Sequence, residues 1–321
     1  MAGGEKSKRS GEYGEKIVKS LLELFGWKNC INGVTVPCVY QDTHKKKDAE
    51  KSEKHGIDYV FKYKSPLRNA TRHDVLISVK CRDGYPKSAN GIKSKFKEFL
   101  MDIAFASECY PACGIAKQKI LGANKMVCSS LIFWIDRNRG DGRENESVVD
   151  EIGGFYLREE CHYNTVALID NNRAQFLYSA INFAKSKYGE NNYKFFYINT
   201  GLNNANLNRK YSGEVLPFEY LNSDVLPMAI NHNNQNKLLL LVKDKFCKEY
   251  LRRLIGLAQE ITSDWAANII IAFPNFNKFE DEETVVSCKA DFEDSSFTDK
   301  ITVVTYYPDF RDEVWTNEWY Y

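Results

Sequence analysis

The sequence predicts an α/β protein. A mixed sheet flanked by helices is expected over residues 1–205, and a smaller C-terminal α/β domain over residues 206–321. Three observations predict it. Apolar residues recur every three or four positions between Tyr13 and Phe25, a helix period. The stretches 31–40, 56–63 and 74–82 are rich in β-branched and aromatic residues and are bounded by polar loops, as strands are. Helical and strand patterns then alternate to the end of the chain, which implies helices packed on a sheet.

Residues 1–10 read as a frayed basic arm. GEYGEKIVKSLLELFGW follows as a helix with Gly26 as its stop. Glu12 and Glu15 lie three apart on one face of its first turn, where negative charge suits the helix dipole. INGVTVPCVY is a strand with Pro37 near an edge or end. QDTHKKKDAEKSEKHG is a charged loop whose Lys45, Lys46 and Lys47 could touch phosphates. GIDYVFKY and DVLISVKCR are two further strands joined by SPLRNATRH. Side chains alternate along a strand, so Ser78 and Lys80 share a face. DGYPKSANG is a turn-rich connection. IKSKFKEFLMDIAFASEC is a helix whose start carries Lys87, Lys93, Lys95 and Lys97. Lysine there opposes the helix dipole, which suggests a use for the charge such as a phosphate backbone.

SSLIFWIDRN is an apolar run expected as a buried strand. GFYLREE and NTVALID read as strands, NNRAQFLYSAINFAKSKYG as a helix and YKFFYINT as a strand. The Asn- and Gly-rich residues 201–213 are the best linker candidate. Beyond them KLLLLVKD, NIIIAFPNF, TVVSCKADF and KITVVTYYP read as strands, and FCKEYLRRLIGLAQEITSDWA as a long amphipathic helix.

Composition narrows the functional classes. No run approaches the ~20 apolar residues of a membrane span, and the basic start of the chain has no apolar signal core. Nine scattered cysteines without a CxxC pair suit a reducing cytoplasm. The net charge of +1 conceals an asymmetry. Residues 1–100 hold 21 Lys+Arg against 12 Asp+Glu, a balance of +9. Residues 280–321 hold 3 against 12, a balance of −9. The front suits a polyanion and the tail does not, although both also read as solvated surface. His55 precedes Gly-Ile-Asp and could approach a phosphate, but such a histidine is more often a loop residue, and His73 and His232 read the same way. Cys109 with Cys113, and Cys161 with His162, form no four-ligand zinc pattern. Trp315, Trp319, Tyr320 and Tyr321 read as a tail tucked onto the core, or as an anchor for a partner.

Helix with Glu15, strand with Asp58, strand with Ser78 and Lys80, basic helix, buried strand: this order resembles the PD-(D/E)XK nuclease superfamily, whose core is α-β-β-β-α-β. The resemblance covers about residues 11–137 and carries over Glu15, Asp58 and Lys80 by motif position. It implies a restriction-endonuclease-like core in which Glu15, Asp58 and the carbonyl of Val79 hold Mg2+, with Mn2+ as a substitute. Lys80 then orients or activates water. Two positions depart from the motif. Ile57 stands where the family has proline, and Ser78 stands where it usually has an acid. A hydroxyl is a poor metal ligand, and Asp74 lies four strand residues from Ser78, about 13 Å away. Residues 4–27 with the Gly-Ile-Asp and Ser-Val-Lys strands also look like the nuclease subunit of two-protein bacterial anti-phage defence systems. That likeness implies DNA as substrate and a second protein subunit, leaves room for a homo-oligomer, and involves no membrane. The expected function is DNA endonuclease. The alternatives are a decayed nuclease fold serving as a DNA-binding or scaffold subunit, and an interaction protein working through its acidic C-terminal domain.

Overall fold

The computed structural model describes residues 2–44, 52–137, 147–153, 163–204, 209–262 and 265–307. Lys45, Lys46, Cys161, His162, the expected strand at 154–160 and the C-terminal aromatic run lie outside them. The chain divides into two compact units. The first comprises Met1–Leu177, Leu202–Asn206 and Val215–Asn222, and the second Tyr178–Gly201, Leu207–Glu214 and Ser223–Tyr321. The units interleave on both sides of the expected boundary at 205/206, and the linker candidate is shared between them. Hydrogen bonds explain the shared segments. Trp27 Nε1–H donates to the Leu216 carbonyl at 2.8 Å, and the Leu216 N–H returns to the Phe25 carbonyl at 2.9 Å. The Asn69 N–H likewise donates to the Leu202 carbonyl.

In the first unit, α1 (Ala2–Leu24) precedes β1 (Ile31–Pro37), β2 (Lys54–Lys64) and β3 (Thr71–Arg82). Then come α2 (Ala89–Cys109), β4 (Lys125–Asp136), the short α3 (Val148–Ile152), β5 (Val166–Ile169) and α4 (Asn171–Tyr188), of which the part up to Leu177 belongs to this unit. The first six elements follow the order helix, three strands, helix, strand. Helix α1 begins at Ala2, so residues 2–10 are helical and not a separate arm. It ends where Gly26 takes φ 71°, a left-handed conformation that glycine adopts without steric cost. The sheet order is β1-β2-β3-β4-β5. β1, β2 and β3 are antiparallel neighbours, whereas β3, β4 and β5 run parallel. Pro37 closes the edge strand β1, where a missing N–H costs no ladder bond.

Helices cover both faces of this sheet. On one face α2 sets Ile92, Phe99 and Ile103 against Val60, Leu76, Ile132 and Trp134. α2 starts well despite its lysines, because the Ser88 hydroxyl accepts the Gly91 N–H at 3.1 Å. On the other face α1 meets β3 so closely that a methyl on Gly14 would lie 2.3 Å from Cys81 Cβ. Trp27, just past α1, stacks on Phe61 of β2 at 4.9 Å.

The second unit holds β6 (Tyr193–Phe196), β7 (Ser212–Gly213), β8 (Val225–His232), β9 (Gln235–Val242), α5 (Lys248–Thr262), β10 (Asn268–Phe273), α6 (Lys278–Ala290), α7 (Ser295–Thr298) and β11 (Ile301–Thr305). Its sheet order is β11-β10-β9-β8-β6-β7, with β9, β10 and β11 parallel. Both units are thus α/β with mixed sheets and flanking helices. Two readings of this half change. TVVSCKADF is not a strand but belongs mostly to α6. The Asn277 side chain caps that helix by accepting the Phe279 N–H, and Val285 and Cys288, three apart, are its buried residues. The strand β8 was not anticipated. It pairs with β9 through a tight turn in which Asn233 and Asn234 both have positive φ, a hairpin geometry that asparagine tolerates.

Candidate nuclease site

The candidate site lies where the ladder between β2 and β3 stops. Those strands pair from Lys64 and Arg72 as far as Tyr59 and Ile77. β3 continues beside β4 to the Arg82–Asp136 pair, so Ser78–Arg82 have a sheet neighbour on one side only. The β1–β2 ladder also skips the Gly33–Asp58 position, where Gly33 takes φ 60°. Ile57 and Val60, three apart, enter the same α2-side core. Strict alternation would send them to opposite faces, so β2 shifts phase across Asp58 and Tyr59.

Asp58 is the residue at this break, and it uses the backbone it faces. The Val79 N–H donates to Asp58 Oδ2 at 2.6 Å. A strand residue directs its N–H and C=O to the same side, so the Val79 carbonyl also faces the open edge. Glu15 is exposed on α1. Its link to Asp58 runs through Tyr59, whose hydroxyl is pushed up first by burial and then by the negative charges of Glu15 and Asp58. Two carboxylates thus act on one phenol beside a backbone carbonyl aimed at the gap. Such an oxygen set fits a hard divalent cation held partly by protein and partly by substrate oxygens. Among the described residues neither Asp58 nor Glu15 belongs to a convergent group of three or more His, Cys, Asp or Glu donors; the one such group lies elsewhere.

Lys80 sits differently. Its Nζ is 5.4 Å from the centroid of the Phe99 ring, on the α2 face. Ser78 is buried and points to that face too, whereas α1 with Glu15 packs on the Cys81 face. Lys95 approaches the same ring at 5.5 Å and pairs with Glu98 at 2.5 Å. The Glu98 carboxyl is held below its usual range by the Lys95 hydrogen bond first, with Lys95, Arg82 and Lys80 adding their positive charge. Glu98 is therefore an acid that feels the charge of Lys80, and sequence reading missed it because its link to Lys80 crosses from strand to helix. Lys87 is exposed, and Lys93, Lys95 and Lys97 are half-buried along the start of α2.

Other candidates take structural places. Asp74 is fully buried and bonded to Arg72 at 2.7 and 3.0 Å and to the Tyr110 hydroxyl at 2.9 Å, so it holds the sheet to the end of α2. His73 lies between the Tyr63 hydroxyl and Ser129 Oγ, and burial pushes its imidazole down to about 4. His232 sits edge-on to Tyr188. Among the described residues no helix is long and apolar enough to cross a membrane.

Comparison with known proteins agrees with this architecture. Neither the curated proteins nor the solved structures contain a match. The family model described as the GAPS4 protein PD-(D/E)XK nuclease domain matches residues 1–173, which are more than half of the chain and end beside the boundary of the first compact unit. GAPS4 is a defence-system component. The chain belongs to the GAPS4 PD-(D/E)XK nuclease domain family.

Proposed function

We propose that this protein is a divalent-metal-dependent DNA endonuclease acting in bacterial defence against phage together with a second protein subunit. The observation that supports it most is the pairing of Asp58 with the Val79 backbone at the one open edge of β3. Glu15, Asp58 and the Val79 carbonyl would hold Mg2+, with Mn2+ as a substitute, and when bound it would supply water activation and charge stabilisation at the phosphate. The Val79 N–H fixes the Asp58 carboxylate and leaves its second oxygen for the ion. In the reaction a water oxygen bonds to phosphorus, one P–O ester bond breaks, and the leaving oxygen takes a proton. Lys80 offers a cation to the phosphate or to the water. Ser78 offers a hydroxyl, and Glu98 supplies negative charge beside Lys80 where the motif position itself has none. Lys87, Lys93, Lys95 and Lys97, with Lys45 and Lys46, would follow the DNA backbone. The acidic second unit suits a partner protein or assembly better than DNA.

A second reading is a DNA-binding or scaffold subunit with a decayed site. It is favoured by Ser78 and by the turn of Lys80 toward Phe99 and away from the α1 face. A plasmid-nicking assay with Mg2+ or Mn2+, with and without candidate partner subunits, separates the two. Endonuclease activity that Asp58→Ala and Lys80→Ala both abolish in folded protein supports the first. Salt-sensitive DNA binding without cleavage under every condition supports the second.

A further inference from the structure

We propose that the chain carries a structural zinc site formed by Cys38, His44, His55 and Cys109. The donor atoms of these four residues lie within 4.8 Å of one another. The Sγ atoms of Cys38 and Cys109 are 4.0 Å apart, and His44 Nδ1 is 3.6 Å from the first and 3.4 Å from the second. These separations can be compared with a tetrahedron around one ion. With Zn–S of about 2.3 Å and Zn–N of about 2.0–2.1 Å, the S–S edge is about 3.8 Å and each S–N edge about 3.5 Å. The observed edges match that figure. A disulfide does not, because its sulfurs stand about 2.05 Å apart.

The surroundings point the same way. His44 Nε2 lies 3.0 Å from Glu108 Oε2, so the carboxylate fixes the tautomer that leaves Nδ1 free to face the sulfurs. A histidine donating one ring nitrogen to a carboxylate and offering the other is the arrangement found around bound metals. The Val39 N–H donates to Cys109 Sγ at 3.4 Å, which suits a thiolate. The His44 ring stacks on Phe105 at 4.3 Å and is held in place. Cys38, His44 and Cys109 are buried, so these polar groups sit in the core of the first unit. Sulfur and imidazole nitrogen select a borderline-soft ion over Mg2+. On binding, the two thiols lose their protons and two thiolates balance the 2+ charge, so a neutral complex sits in the core. Four protein ligands close the coordination sphere, which makes the site structural and not catalytic.

The ligands tie together the residue directly after β1, the connection between β1 and β2, the start of β2 and the last residue of α2. His55 precedes Asp58 by three residues, and Lys45 and Lys46 directly follow His44. The ion would therefore set the start of the strand that carries Asp58 and anchor the base of the lysine segment.

Elemental analysis of the full-length protein, purified without added chelator, tests the proposal. One zinc per chain is expected, falling to near zero in Cys109→Ala and in His44→Ala. Titration of chelated, thiol-reduced protein with Co2+ keeps the test decisive if those variants fail to fold. It should give the visible absorption of tetrahedral cobalt with a thiolate charge-transfer band. Asp58→Ala should retain its zinc whether or not the protein cuts DNA, so failure here and failure of the nuclease reading are distinguishable. Parent protein without stoichiometric metal, together with a Co2+ titration lacking both bands, overturns the proposal. So does a Cys38–Cys109 disulfide in protein from a reducing cytoplasm.

Discussion

Gly14→Ala tests how α1 delivers Glu15 to the sheet. The added methyl would stand 2.3 Å from Cys81 Cβ and 3.0 Å from its Sγ. Carbon pairs settle near 3.5–4.0 Å, so α1 and β3 must part by about 1.2–1.7 Å. Overpacking of this kind costs about 1–3 kcal/mol. Alanine recovers roughly 0.8–1 kcal/mol of helix propensity over glycine. The net expectation is a loss of about 0–2 kcal/mol, read as a lower denaturation midpoint in urea. In a Cys81→Gly background the opposing Cβ is gone, and the penalty should shrink or reverse. The chemistry should suffer more than the fold, because a shift near 1 Å in a positioning element can cost on the order of 100-fold in rate. An open helix surface would instead make the substitution stabilising. A raised midpoint for Gly14→Ala, or an equal penalty in both backgrounds, would refute the close approach of α1 and β3.

Three further outcomes are expected. Asp58→Asn keeps an oxygen for the Val79 N–H but loses the charge, so Mg2+-dependent cleavage should fall by at least about 100-fold while the urea midpoint moves by less than the equivalent of about 1 kcal/mol; cleavage at the parent rate would remove Asp58 from the site. Glu98→Gln should lower cleavage by about tenfold or more if this carboxylate serves Lys80, at little cost to stability because its exposed pair with Lys95 contributes only about 0–1 kcal/mol; unchanged rates would assign Glu98 to the surface. His73 should make the fold acid-sensitive. Its imidazole binds a proton near pH 4 when folded and near 6.5 when unfolded, so the unfolded chain takes up more protons between those values. Its contribution is complete above pH 6.5 and is lost as pH falls, by roughly 3 kcal/mol at pH 4. Denaturation midpoints across that range check this, and the slope should flatten in His73→Gln.

The sequence made some of this legible, and the reasons differ by element. β2 and β3 were readable because buried strands keep their apolar runs, and α1 because it buries one stripe. α6 was misread because Val285, Val286 and Cys288 look like a short apolar strand; the Asn277 cap and the acids of the first turn carried the contrary signal. The β8–β9 hairpin hides behind an Asn-Asn turn that lacks the usual glycine. The Cys38–Cys109 cluster was illegible for a different reason. Two of its ligands lie in the connection after β1, one on β2 and one at the end of α2, so no compact ligand motif stands in the sequence and only the fold brings Cys109 to the other three.

The placement of Lys80 follows from topology more than from sequence. β3 and β4 run parallel, and parallel neighbours need a crossover, here made by α2. That helix must lie on one face of the sheet, which leaves the opposite face to α1. Ser78 and Lys80 alternate with Val79 and Cys81, so whichever helix covers one pair, the other helix meets the other pair. The structure puts Phe99 under Lys80 and Gly14 over Cys81. Glu15 and Lys80 thus approach from opposite faces, and a continuous sheet would keep them apart. The stopped β2–β3 ladder is what removes that barrier. Only where β3 has lost its β2 neighbour can groups from both faces reach the same Val79 backbone and the Asp58 carboxylate bound to it. The proposed catalytic centre would therefore depend on the strand break at Asp58, and substitutions that restore pairing there should silence it as surely as removing the carboxylate.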